Sequence, residues 1–200
     1  MENLRKEHEL IDIFYNLTSI PSPSLREEKV VEWVKDFCCK EGLNCKTDNY
    51  NNVIIKLDAT DTSKPILALS SHMDVVGDDS PVIPTLDGDF IHANGRTLGG
   101  DDKFGMSAAL KLLKDIKNSN LNHGGLEVVF TRDEENGMSG IHNFDFNNLN
   151  SKYVLFVMRM NLEYYKFQAQ VIVMDMWKYL AKVGTLVLKL QIKQNQMLQN

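Results

Sequence analysis

Two hundred residues with 43% hydrophobic and 24% charged side chains suffice for one domain with a real core and exclude a disordered chain. The net charge of −5 argues against a nucleic-acid partner, which requires a basic surface. No run of about 18 apolar residues is present to cross a membrane, and the first residues lack the apolar stretch of a signal peptide. Cys38, Cys39 and Cys45 are odd in number and without CxxC spacing, so free thiols in a reducing cytoplasm are expected.

The spacing of Leu10, Ile11, Phe14, Tyr15 and Leu17 predicts a helix over residues 4–17. A rigid turn follows at Ser19-Ile20-Pro21-Ser22-Pro23-Ser24, after which Ser24 and Glu27 read as a capping box opening a second helix. That helix directs Val30, Val31, Trp33, Val34 and Phe37 toward a core and stops near Gly42. A polar turn at 49–52 leads into a strand at 52–57, and a loop at 58–64 into a buried strand at 65–71. After Asp74 the chain is rich in loop signals, with a short strand at 90–93 ending on Asn94-Gly95. A helix over 103–116 points Met106, Leu110, Leu112 and Leu113 inward. A loop at 118–125, a strand at 126–131, a short helix at 137–144 and a buried strand at 152–157 complete the series. Alternating strands and helices predict an α/β layered domain.

Three clusters sit where apolar runs stop. The first is Ser71-His72-Met73-Asp74. His72 and Asp74 are two apart in extended chain, so both point the same way and the carboxylate can orient a ligating imidazole. The second is Gly99-Gly100-Asp101-Asp102-Lys103. Its two acids open a helix, where they serve either as caps or as metal ligands, one carboxylate being able to bridge two cations. The third is Asp133-Glu134-Glu135 at the end of a strand. Adjacent side chains on a strand diverge, which suits one Glu to a metal and the other to a water; the alternative is a solvated acidic turn. His92, His123 and His142 fit none of these clusters and read as surface or loop residues, and Lys103 as a helix-start or packing residue.

Together the clusters resemble the zinc-dependent peptidases of the M20 family. The matching residues are His72-Met73-Asp74, Leu98-Gly99-Gly100-Asp101-Asp102-Lys103-Phe104-Gly105 and Phe130-Thr131-Arg132-Asp133-Glu134-Glu135-Asn136-Gly137. The tripeptidase-like and aminoacyl-histidine dipeptidase-like branches look closest. The resemblance covers about residues 5–157. It implies a three-layer α/β/α catalytic domain that hydrolyses a peptide bond in a short peptide. It further implies that His72, Asp101 and Glu135 ligate two zinc ions, Asp101 between them and before a cis peptide to Asp102. Glu134 would be the general base and Asp74 the partner of His72. An inactive fragment of such a peptidase, or a related deacylase, are the alternatives.

The composition changes at residue 158. Residues 1–157 carry 16 basic and 25 acidic side chains, whereas residues 158–200 carry 6 and 2, with six Gln and five of the nine Met. The resemblance implies an acidic ligand just after the strand at 152–157, and a later His. Here the next carboxylate is Glu163, and no His follows His142. The expectation is therefore a truncated catalytic domain over 1–157, without the family's lid and dimerisation domain, and an atypical tail over 158–200. Residues 160–171 can be written in codons that encode a family-like strand one nucleotide earlier, which suggests a tail read out of frame. As a helix or as strands, residues 164–190 would patch the exposed sheet edge.

Overall fold

A computed structural model describes residues 1–93, 95–161 and 166–173, from residue 157 onward by backbone alone. The first elements in chain order are α1 (Glu2–Glu7), α2 (Glu9–Thr18), α3 (Glu28–Glu41), β1 (Asn44–Thr47), β2 (Val53–Leu57) and β3 (Leu67–His72). Then come β4 (Pro84–Asp87), β5 (Phe90–Ala93), α4 (Gly100–Lys117), β6 (Leu126–Thr131), α5 (Ser139–His142), a 3-10 turn (Phe146–Asn148), β7 (Tyr153–Asn161) and β8 (Lys166–Val173).

One sheet runs in the order β1-β2-β6-β3-β7-β8, and β4 with β5 forms a separate hairpin. At its centre β3 lies between β6 and β7 and is parallel to both. The pairs β1–β2, β2–β6 and β7–β8 are antiparallel. Strand alternation then sorts the apolar side chains onto two faces. Val53, Ile55, Leu69, Val128 and Phe130 pack with Ile13 and Leu17 of α2, Val30 and Val34 of α3, and Met106, Leu110 and Leu113 of α4. Ile54, Ala68, Val129 and Val154 pack instead with Ile141 and Phe144 beside the 3-10 turn. This is an α/β/α fold of three layers. Burial on both faces is why β6 and the first half of β3 read as apolar runs.

Several expectations are corrected. The first helix is two, broken at His8, whose backbone is extended at φ −130° and ψ 100°. The capping box does not form, because α3 has no side-chain cap and Ser24 and Glu27 are engaged elsewhere. Leu112 is 40% exposed, while Met106, Leu110 and Leu113 are buried as expected. The polar sequence of β1 hid a strand, which pairs at the sheet edge with β2. The stop at Gly42 holds: it is left-handed at φ 62°, and the Leu43 N–H donates to the Cys38 carbonyl at 2.8 Å. Cys38, Cys39 and Cys45 are free thiols. Beyond Val157 the chain continues β7 and returns as β8. The expectations for Asn94 and for the rest of the tail lie outside the described residues.

Candidate metal centre

Parallel pairing of β3 and β6 sets His72 opposite Thr131, so both strands deliver their C-terminal ends to one place. In open α/β sheets this is where ligands collect. His72 is the last residue of β3 and is 4% exposed. Its Nδ1 lies 3.0 Å from the Asp74 carbonyl oxygen and 3.4 Å from Asp74 Oδ1. Its Nε2 faces outward, 3.2 Å from Asp101 Oδ1 and 3.9 Å from Glu134 Oε2. Burial alone would lower the pKa of the imidazole. The Asp101 and Asp74 carboxylates, with the charges of Asp102 and Glu134, outweigh burial and hold its pKa well above the ordinary value.

Asp74 is fully buried and satisfied on both oxygens. Oδ1 accepts the Glu134 N–H at 2.9 Å, while Oδ2 accepts the Glu135 N–H at 3.0 Å and the Ser24 hydroxyl at 2.7 Å. Burial pushes its pKa up, but His72 and these donors prevail and bring it down to about 2. Asp74 is thus a buried carboxylate that bonds the backbone of the Glu134–Glu135 turn and lies beside His72.

Glu134 and Glu135 are not on a strand. β6 ends at Thr131, and the pair lies in the turn that follows a left-handed Asp133 at φ 55°. The turn lets both carboxylates approach His72 instead of diverging: ligand atoms of His72, Glu134 and Glu135 lie within 4.8 Å of one another. Burial, reinforced by neighbouring acids, raises both glutamate pKa values against the opposing charge of His72.

The two acids of the second cluster point in different directions. Asp101, with its side chain 41% exposed, faces His72. Asp102 is buried, and its Oδ1 accepts the Gly105 N–H at 3.2 Å, tying down the first turn of α4. Burial lifts its pKa to about 8. The Asp101–Asp102 peptide is cis. Lys103 lies in the first turn of α4 and is buried there, as expected of a helix-start or packing residue. It is 1% exposed, burial lowers its pKa to about 7, and the opposing charges are Asp74 and Glu27.

The donor set suits a divalent metal. Two ligands about 2.1 Å from a tetrahedral zinc stand roughly 3.4 Å apart, within small side-chain rotations of the spacing seen here. His92 and His142 are exposed, and the His123 Nδ1 accepts the Gly125 N–H, so these three stand apart from the centre as expected. Sequence reading missed Glu27 and Asn52. Both are buried and hold the Arg132–Asp133 backbone. The only local signal was the Ser24-x-x-Glu27 spacing, which pointed to a helix cap.

The model of "Peptidase family M20/M25/M40" matches residues 68–169, a span that contains all five predicted site residues. The cytosol non-specific dipeptidase of Escherichia coli K12 is 36% identical over 144 residues, 66% of this chain and 29% of that protein. A tripeptidase from Staphylococcus aureus superposes with a TM-score of 0.71 at 29% identity, covering 75% of this chain and 43% of that one. The aminoacylhistidine dipeptidase of Vibrio alginolyticus superposes with a TM-score of 0.66 at 29% identity, over 75% of this chain and 32% of that one. The chain therefore spans less than half the length of these relatives. Because the match takes in half of the chain and every cluster of the centre, the chain belongs to peptidase family M20/M25/M40.

Proposed function

We propose that the chain carries the metal-binding and proton-transferring groups of a peptidase acting on short peptides. The observation that carries this reading is the convergence of His72, Glu134 and Glu135 at the ends of β3 and β6, with Asp101 beside them. The names of the relatives, a cytosol non-specific dipeptidase and a tripeptidase, support a di- or tripeptide as substrate and the cytoplasm as its setting.

In this reading His72, Asp101 and Glu135 would hold two zinc ions. When bound, zinc supplies Lewis acidity that polarises the scissile carbonyl and lowers the pKa of water. Asp74 takes the Nδ1 side of His72 and leaves Nε2 toward the centre. Glu134 accepts the proton of the attacking water as the new C–O bond forms, and returns it to the amine nitrogen as the C–N bond breaks. Its raised pKa brings it closer to neutral pH, as that exchange requires. The chain by itself is expected to bind zinc weakly and turn over little, since one imidazole and a few carboxylates fall short of four ligands on each of two ions.

Calorimetric titration with zinc, together with hydrolysis assays on di- and tripeptides, tests the reading. The expected result is zinc uptake that His72→Ala abolishes, and any hydrolysis lost in Glu134→Ala with the fold intact. Zinc uptake unchanged in His72→Ala would overturn it. Hydrolysis of acylated amino acids in place of peptides would shift the reading to a deacylase.

A further inference from the structure

We propose that Glu27 is the positioning residue of the Glu134–Glu135 pair, acting through Arg132 and Asp133. Glu27 stands at the start of α3 yet caps nothing there. Its carboxylate is 1% exposed and faces away from its own helix, toward the end of β6. Oε1 accepts the Asp133 N–H at 2.9 Å and the Leu25 N–H at 2.9 Å. Oε2 accepts from Arg132, through Nε at 3.1 Å and Nη2 at 2.8 Å.

The backbone explains why such an anchor is needed. Leu25 and Asp133 both adopt left-handed conformations, at φ 68° and 55°, which side chains other than glycine rarely take. Both donate to the same oxygen of Glu27. Four consecutive N–H groups of the turn are then claimed by buried side chains: Arg132 by Asn52 Oδ1, Asp133 by Glu27, and Glu134 and Glu135 by Asp74. Asn52 and Asp74 hold the two ends of this run, and Glu27 holds the residue whose unusual φ turns the chain toward His72. A carboxylate buried without a role would be costly. Here the Arg132 guanidinium and the Asp133 and Leu25 N–H groups offset that cost, and the same bonds hold the turn that carries Glu134 and Glu135.

The proposal deepens the metal reading but is tested partly apart from it, in the 200-residue chain. Amide hydrogen exchange is measured at Asp133, Glu134 and Glu135 and compared with Val128 to Phe130, alongside calorimetric titration with zinc alone. Glu27→Ala is expected to speed exchange of the three turn amides at least about tenfold relative to the β6 amides, as local opening replaces a fixed turn. It is expected to weaken zinc binding by about 10–100-fold, the usual effect of losing a group that orients ligands. Glu27→Gln keeps an acceptor for the Asp133 and Leu25 N–H groups but sets an amide NH2 against the Arg132 donors, and is expected to recover the turn protection only in part. If Glu27→Ala does not fold, Glu27→Asp, which keeps the charge but not the reach, is read in its place. Exchange that rises uniformly through β6 and the turn, or turn amides that do not respond, would overturn the proposal. If the wild-type chain takes up no zinc, the metal reading falls, and the exchange comparison alone decides the role of Glu27.

Discussion

Asp74 Oδ1 accepts the backbone N–H of Glu134 at 2.9 Å, while the same oxygen lies 3.4 Å from His72 Nδ1. One carboxylate thus orients the imidazole of the first cluster and the backbone of the third. The two clusters lie 60 residues apart in sequence, and Asp74 makes them one site.

The Ser24 hydroxyl completes this arrangement by donating to Asp74 Oδ2 at 2.7 Å. Ser24→Ala is expected to cost about 1–2 kcal/mol, as a hydrogen bond to a charged acceptor is lost. Asp74→Asn is expected to cost about 2–3 kcal/mol, because an amide oxygen cannot replace both carboxylate oxygens. The double variant should fall short of the sum by about 0.5 kcal/mol or more, as expected of residues in one network. Urea denaturation of the four proteins measures the cycle. Strict additivity would show that Ser24 and Asp74 are not coupled.

Gly140 lies against the same turn. A Cβ there would stand 2.7 Å from the Arg132 backbone nitrogen and 2.7 Å from Asn52 Oδ1, and closer still to the Arg132 carbonyl oxygen. These are backbone and fully buried side-chain atoms that cannot move aside cheaply. Gly140→Ala is expected to cost about 1–3 kcal/mol by overpacking. A thermal midpoint unchanged from wild type would show that α5 can shift away from the turn.

Glu127 ties the sheet to the segment before β7. Its carboxylate pairs with Lys56 Nζ at 2.8 Å and accepts the N–H groups of Asn150 and Ser151, each at 2.9 Å from Oε2. Burial pushes its pKa up, but Lys56 and the two N–H groups prevail and lower it. A carboxyl with a lowered folded pKa adds stability above its unfolded pKa, and this is lost as pH falls through the folded value. The loss should therefore fall in the acid range, from roughly pH 4.5 downward. Glu127→Gln is expected to be less stable at neutral pH and to lose less stability on acidification. Urea midpoints from pH 7 to pH 3 test this; parallel curves would contradict it.

The two faces of α4 offer a simpler check. Leu110 is fully buried, whereas Leu112 is 40% exposed. Leu110→Ala is expected to cost about 2–5 kcal/mol through lost burial and a cavity. Leu112→Ala should stay within about 0.5 kcal/mol of wild type, as surface changes do. Denaturant midpoints of the two variants decide whether the helix is oriented as described.

Much of this was legible in the sequence. The strands β2, β3 and β6 announce themselves because a strand buried on both faces is rich in apolar residues, and the apolar start of β7 marks it as well. The helix α3 and most of α4 follow from 3.6-residue spacing, and the end of α3 from Gly42. Three clusters were visible where apolar runs stop, and their resemblance to the M20 family is what implied His72, Asp74, Asp101, Glu134 and Glu135 as one set. β1 was not legible, since its four residues, Asn44-Cys45-Lys46-Thr47, carry too little apolar alternation to mark a strand, although Cys45 and Thr47 are half-buried.

Only the tertiary structure decided what Ser24, Glu27 and the Glu134–Glu135 turn do. Ser24-x-x-Glu27 has the local spacing of a capping box, and local spacing cannot reveal that stronger partners lie elsewhere in space. Packing α3 against the sheet brings Glu27 to Asp133 and Ser24 to Asp74, across 106 and 50 residues of sequence. Charge-assisted hydrogen bonds in a buried setting then outcompete a cap exposed to water. The same contacts hold Asp133 left-handed and place Glu134 and Glu135 on one side of the chain, where strand geometry would have separated them. The residue types of the site were fixed by sequence, and their convergence by burial of the groups that hold them.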